Sequence, residues 1–365
     1  MALPVYGPAG VTIVDPRQTI EDALTDPEGD MNPLPAERRP SAASLPSYDE
    51  LPQRGGVACS WGLWGESDTL GTLNLLDAGR VRDATGSVAR GTVFRLDWSM
   101  RRPDPPLFGR GPWHHRIHAS EDSTSTDDRL DAWNTQSSTQ WDGFLHVRRS
   151  GHGYYNGVAG HAHGMDSWAR RGIVGRGVLA DVSSWRQAQG RPLHHGYPDP
   201  ITVDDLRATL EEQGTNLEVG DVLLIRTGWI AWYETLDGPT RRRISLPDGL
   251  TSVGLEPTED MARFLWDTHV AAVAADNPAL EIWPLGACAA PELVEAIRAD
   301  PEREPEILLH SRLLAMLGIP IGELWFLEAL AADCRNDGRW QFLLTSAPLR
   351  LPSGVGSPAN ALAVK

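Results

Sequence analysis

The chain has 365 residues, 41% hydrophobic and 22% charged, with 49 acidic against 33 basic side chains and a formal charge of −16. A chain of this length buries a substantial core without disulfides or a structural metal, and its acidity argues against a nucleic-acid or anionic-membrane partner, whose phosphates it would repel. Cys59, Cys288 and Cys334 lie far apart and form neither a disulfide framework nor a zinc ribbon. With no basic segment leading into an apolar run at the start, they predict a cytoplasmic setting, and no apolar stretch approaches the ~20 residues of a membrane helix.

In chain order, residues 1–50 are dense in Pro, Asp, Glu and Ser. Such a segment cannot build a core and predicts an extended arm that wraps the body or a neighbouring subunit, leaving 51–365 as one domain. "LLDAGRVRDATGSV" predicts a helix and "GTVFRLDWSM" an alternating strand. Residues 101–128 are rich in Pro, Gly and Ser and predict a long loop of functional type. The VLADV run that follows predicts a buried strand, and "TVDDLRATLEEQG" a helix with a Thr cap, two early Asp and a closing Gly. "VGDVLLIRTGW" predicts a buried strand and then a loop; "EPTEDMARFLWDTHV" a helix; "VAAVAADNPALEIWP" a strand running into polar residues. "PEILLHSRLLAMLG" predicts an amphipathic helix closed by Gly318, and "RWQFLLTSAPLRL" a late strand. Strands alternating with helices indicate an α/β domain.

The chemistry concentrates in "QSSTQWDGFLH", residues 136–146. On a strand, Gln140 and Asp142 share a face; Gln136 lies four residues before Gln140, and His146 follows Asp142 after a turn at Gly143. A carboxylate with two amide oxygens is a hard donor set that suits Mn²⁺ or Mg²⁺ better than Zn²⁺. The bland alternative is that these residues cap turns. His310 and Glu323 are thirteen apart across Gly318 and Pro320, a spacing that a helix and a turn can fold back to one point. Asp276 follows an apolar run at the carboxyl end of a strand, where α/β sheets present functional groups or simply begin a turn. Trp141, Tyr154 and Tyr155 are candidates for a pocket wall. The pair His161 and His163, and His114, His115 and His118 in the long loop, read as exposed histidines outside the site. No nucleophile elbow, Walker loop or dinucleotide fingerprint is present.

At these residues the chain resembles the cyclase family that includes bacterial kynurenine formamidases and isatin hydrolases. The family's hallmark is His-x-Gly-Thr-His-x-Asp-x-Pro-x-His. Gln136 and Gln140 fall at its first two His, Thr139 at Thr, Asp142 at Asp and His146 at the last His, while Ser138 and Phe144 replace Gly and Pro. The resemblance continues through "WGESDTLGTLNLL", "GDVLLIRTGW", "AADNPALE", the segment 309–334 and the ending "GVGSPANALAVK". Thr139-Gln140-Trp141-Asp142 followed by Tyr155-Asn156-Gly157 resembles a branch of the family with glutamine at those positions.

The resemblance implies a mixed β-sheet with flanking helices, of swivelling β/α/β type, in a homodimer or homotetramer. It implies Asp142, His310 and Glu323, with Gln140, as ligands of one divalent ion, Mn²⁺ favoured over Mg²⁺ or Zn²⁺, and His146 as general acid/base assisted by Gln136 and Gln140. Trp141, Tyr154, Tyr155, Asn156 and Asp276 are the expected substrate-binding residues. The implied activity is hydrolysis of an amide, lactam or lactone of a small cyclic or aromatic compound by metal-activated water. The alternatives are a metal-independent cyclase, dehydratase or lyase acting on a small carbonyl compound such as a polyketide intermediate, and a binding protein that keeps only the pocket.

Overall fold

The computed structural model describes residues 45–365 apart from 122, 123, 159 and 247, so residues 1–44 of the expected arm lie outside the described residues. Where the described chain begins, it is pinned to helix Glu259–Asp267. The Trp266 indole donates to the Pro46 carbonyl at 2.9 Å, and the Asp267 carboxylate accepts from the Tyr48 amide at 2.7 Å.

The centre of the molecule is a nine-stranded mixed sheet. Its strands are β1 (Val93–Arg95), β2 (Gln140–Asp142), β3 (Ile173–Ala180), β4 (Val222–Ile225), β5 (Ala272–Ala275), β6 (Ile321–Glu323), β7 (Gln341–Ser346), β8 (Gly356–Pro358) and β9 (Ala361–Val364). Across the sheet the order is β8-β2-β6-β5-β4-β3-β7-β9-β1. The four inner strands β6, β5, β4 and β3 run parallel, and β2, β8, β7, β9 and β1 add antiparallel pairings at the two sides. VLLI in β4 and AVAA in β5 are buried at every position. Parallel strands covered on both faces require such unbroken apolar runs.

The predicted helices form where their caps lie. Thr202 Oγ accepts from the Asp205 amide at 3.2 Å while the Asp205 carboxylate accepts from the Thr202 amide, a reciprocal box that starts helix Val203–Glu212. The amphipathic stretch near the end winds as a π-helix, Ser311–Leu317, which Gly318 terminates in the left-handed region at φ 64°. A side chain at 318 would also meet the Tyr155 ring, 2.5 Å from an ideal Cβ. None of the described helices is long and apolar enough to cross a membrane.

One expectation is corrected and another is narrowed. Residues 101–128 are not one loop: His114–Ala119 pairs antiparallel with Thr126–Asp131 in a hairpin whose strands are exposed almost throughout. A hairpin that buries no face carries no apolar alternation to read. After β4 the expected loop is short, residues 226–228, and gives way at once to helix Trp229–Thr235, which buries Trp229, Ile230 and Tyr233. Its N-cap is Gly228 at φ 80°, which supplies no polar capping signal.

That turn makes one pH-dependent prediction. His195 packs on Trp232 with ring centroids 6.0 Å apart, and its Nδ1 has no hydrogen-bond partner among the described residues. Burial, aided by the Arg226 charge, pushes its pKa down to about 4. Between pH ~6.5 and ~4 the unfolded chain therefore holds a proton that the folded chain does not, so the contribution is whole above ~6.5 and is lost as pH falls. Its ceiling is roughly 3 kcal/mol. In urea unfolding, His195→Asn is expected to lose less stability than the native chain between pH 7 and pH 4.5; equal losses would refute the assignment.

Candidate active site

The register of two short strands assembles the site. β2 lies between β8 and β6, and Glu323 pairs with Gln140 while Ile321 pairs with Asp142. The strand period puts Gln140 and Asp142 on one face, and the register lays Glu323 beside them. The Gln140 amide nitrogen accordingly reaches Glu323 Oε2 at 2.5 Å and Asp142 Oδ1 at 3.3 Å. Gln136, from the segment before β2, places its amide nitrogen 2.6 Å from Asp142 Oδ1 and 3.2 Å from His146 Nδ1. His310, immediately before the π-helix, brings its Nε2 within 3.1 Å of Glu323 Oε1 and 3.7 Å of Asp142 Oδ2.

Hydrogen-bond logic settles the orientations. A carboxylate accepts only, so both glutamines must turn their NH₂ groups inward. Gln136 then gives its second hydrogen to His146 Nδ1, and neutral His146 carries its own hydrogen on Nε2. His310 Nδ1 donates to Glu281 Oε2 at 2.7 Å, and Glu281 is fully buried. A neutral His310 would therefore aim its Nε2 lone pair at two carboxylates, an arrangement that needs a proton or a cation between them. Asp142 Oδ2 is buried at that point with no hydrogen bond among the described residues.

The electrostatics follow. Burial raises the Asp142 pKa, but the His146 and His310 imidazoles and Arg110 outweigh it and hold the carboxyl below its usual range. Burial and the Asp142 charge push Glu323 up. Burial opposes protonation of His310, yet the Glu281 charge and the bonds to the carboxylates raise it well above an ordinary histidine. Burial lowers the His146 pKa, against the raising pull of the Asp142 charge, although 27% of its side chain stays accessible.

His146, His310 and Glu323 open onto a cleft of about 330 Å³ walled by Phe108, Trp283 and Leu285. This is near the lower size for a small-molecule site. A larger cavity of about 770 Å³ lies elsewhere, where Arg80, Arg176 and Arg339 are already engaged by Asp77, Glu218 and the Ser87 carbonyl.

The family model described as "Putative cyclase" matches residues 84–282, more than half of the chain. A solved structure described as a novel cyclase is 32% identical, with TM-score 0.69, over 84% of this chain and 99% of that one. The chain belongs to the cyclase family. It shares its fold with isatin hydrolase A from Ralstonia solanacearum (16% identity, TM-score 0.54, 75% of this chain and 92% of that one). Isatin hydrolase A from Labrenzia aggregata, solved with benzyl benzoate, is similar at 17% identity and TM-score 0.51, over 77% of this chain and 94% of that one. No curated protein matches the chain.

In this chain, Gln136, Gln140, Asp142, His146, His310 and Glu323 come together, and five expected substrate contacts do not join them. Trp141 points to the opposite face of β2, fully buried against Trp325 and bonded to Ser346 Oγ at 2.9 Å. Tyr155 is fully buried and donates to Asp68 at 3.1 Å. Asn156 braces the Gly62–Gly65 turn through bonds of 2.8 Å to both residues. Tyr154 lies on the same segment, away from the cleft lining. Asp276 is consumed inside the sheet by the Thr227 amide and hydroxyl and the Gly228 amide, at 2.6–2.8 Å. Gln140 is also corrected as an oxygen ligand: its Oε1 turns toward Arg110, 3.5 Å away. Among the set-aside histidines, His163 is buried and bonds the Tyr155 carbonyl, and the His114–Ala119 strand is exposed.

Two residues of the site went unread in the sequence, Glu281 and Arg110. Glu281 closes the "AADNPALE" segment as its second acid, after Asp276, and its place beside the apolar Ala279 and Leu280 was the available signal. Arg110 had no signal beyond its place in a long functional loop.

Proposed function

We propose that this protein is an enzyme, a metal-dependent hydrolase that opens an amide, lactam or lactone of a small cyclic or aromatic compound. The observation that carries this reading is the convergence of His310 Nε2, Glu323 Oε1 and the unbonded Asp142 Oδ2 beside an apolar cleft. Asp142, His146 and His310 bring ligand atoms within 4.8 Å of one another. His146 is the poorer ligand of these, because ligation through Nε2 would force its hydrogen onto Nδ1, against the Gln136 NH₂. The residues that would hold the ion are thus Asp142, His310 and Glu323, two hard carboxylates and one imidazole, a set that favours Mn²⁺. When bound, the ion supplies acidification of water and polarisation of the scissile carbonyl.

The chain's own residues do the rest. Glu281 holds the His310 Nδ1 hydrogen and so keeps Nε2 free for ligation. Gln136 holds His146 as the Nε2–H tautomer, which donates to the carbonyl oxygen or leaving atom as negative charge develops there. Phe108, Trp283 and Leu285 enclose the ring and limit water to the reacting edge. Hydrolysis adds one water across the C–N or C–O bond, with its oxygen on the acyl carbon and one proton on the leaving atom.

One observation favours a second reading. The two glutamine amides already neutralise hydrogen-bonding demand at Asp142 and Glu323, so a site that holds a carbonyl or enolate without a metal, for cyclisation or elimination, is chemically coherent. Elemental analysis of protein purified without chelator separates the two. About one manganese per chain, absent from Asp142→Ala, is expected; a metal-free protein that stays active would overturn the hydrolase reading and move the search to cyclisation and elimination substrates.

A further inference from the structure

We propose that Arg110 is the anchor for an anionic, carboxylate-type group on the substrate. The inference rests on this cleft being the substrate site. It stands on what Arg110 lacks. The side chain is half-buried in the cleft wall, yet no carboxylate among the described residues lies within the 4.0 Å of an ion pair. Its acceptors among the described residues are neutral: the Gln136 carbonyl and, at 3.5 Å, Gln140 Oε1, both reached by Nη1. Nε and Nη2 have no acceptor among the described residues. Other part-buried arginines of this chain are clamped. Arg186 is held by Asp199 and Asp205 at 3.3 and 2.8 Å, and Arg226 by Asp181 and Glu328 at 2.8 and 2.9 Å.

A guanidinium withdrawn from water with no carboxylate in contact is costly, and its planar fork matches a carboxylate bidentately. Burial lowers the Arg110 pKa, against the opposing pull of the Glu323 and Asp142 charges, which act on it from beyond ion-pair distance. The local backbone holds the group in place. Phe108 adopts φ 58°, Gly109 N donates to the Ser245 carbonyl, Arg110 N donates to the Leu107 carbonyl, and the guanidinium stacks 5.3 Å from the Phe108 ring. Phe108 in turn packs edge-on against Trp283 at 5.2 Å. A substrate with an apolar ring against Phe108 and Trp283 would thus present its anion to Arg110. Its reacting carbonyl would lie one residue's span away at His146, because Gln136 touches both side chains.

The test is equilibrium binding of benzoate and of its uncharged analogue benzamide to the full-length protein by calorimetry. It is done with chelator present, so that neither a bound ion nor turnover contributes. Benzoate is expected to bind at least roughly tenfold more tightly than benzamide. Arg110→Gln should remove that preference while leaving benzamide affinity unchanged, and Arg110→Lys, which keeps the charge without the fork, should retain part of it. Melting curves establish that each variant is folded; if Arg110→Gln is not, the partial loss in Arg110→Lys carries the test. Equal affinities for the two probes, no benzoate binding, or an unchanged preference in the folded variants would overturn the proposal. Because the protein is chelated, a failed hydrolase reading would leave this result standing, and the reverse also holds.

Discussion

Replacing His310 with alanine is expected to destabilise the metal-free protein by about 3–5 kcal/mol at neutral pH, the usual cost of breaking a buried ion pair from one side. His310 is the shared donor for Glu281 and Glu323, through Nδ1 at 2.7 Å and Nε2 at 3.1 Å, and both carboxylates are buried. Alanine removes the one side-chain partner that Glu281 has among the described residues and opens a void beside Asp142. The same change removes the sole imidazole of the proposed ion set, so divalent-ion uptake should vanish with it. Urea unfolding of the chelated protein checks the first part and elemental analysis the second. A loss under about 1 kcal/mol would mean that His310 is not the cation that binds these acids together.

His146→Ala is expected to do the opposite: leave the fold and the ion in place and lower turnover by roughly 10²–10⁴, the range for a positioned proton-transfer or donor group. The side chain is partly accessible, and its closest polar contacts are Gln136 at 3.2 Å and Asp142 at 3.9 Å, so little packing is lost. The two measurements that decide are the metal-to-protein ratio and kcat on an aryl formamide or lactone that the native protein turns over. Loss of the ion together with activity would make His146 a ligand and reverse the roles assigned above. Retention of most of kcat would remove it from the chemistry.

Most strands and helices were legible because they are local signals under global burial. The VLLI and AVAA runs, short, apolar and bounded by turn residues, read as buried strands, and a Thr cap with acidic residues behind it reads as a helix start. What was not legible was structure without a buried face, such as the hairpin over His114–Ala119 and Thr126–Asp131. The site divides the same way. Gln140 and Asp142 share a face by strand period alone, and the return of His310 and Glu323 follows from a helix and turn of known length. The same strand period puts Trp141, between Gln140 and Asp142, on the opposite face, where it points into the core, so its expected place in the pocket wall went against a rule the sequence already carried.

The sequence by itself determined the family, the α/β alternation and six of the residues that gather at one point, because these depend on residue type and spacing along the chain. Only the tertiary structure decided what those residues do to one another. Which amide atom faces which carboxylate, which nitrogen of His146 keeps its hydrogen, that Glu281 stands behind His310, and that Arg110 arrives with no carboxylate in contact all depend on distances between side chains of separate segments, 29 residues apart for Glu281 and His310 and 183 for Gln140 and Glu323. A hydrogen bond or an unpaired charge exists only once register and packing have fixed those distances, and no local propensity encodes them.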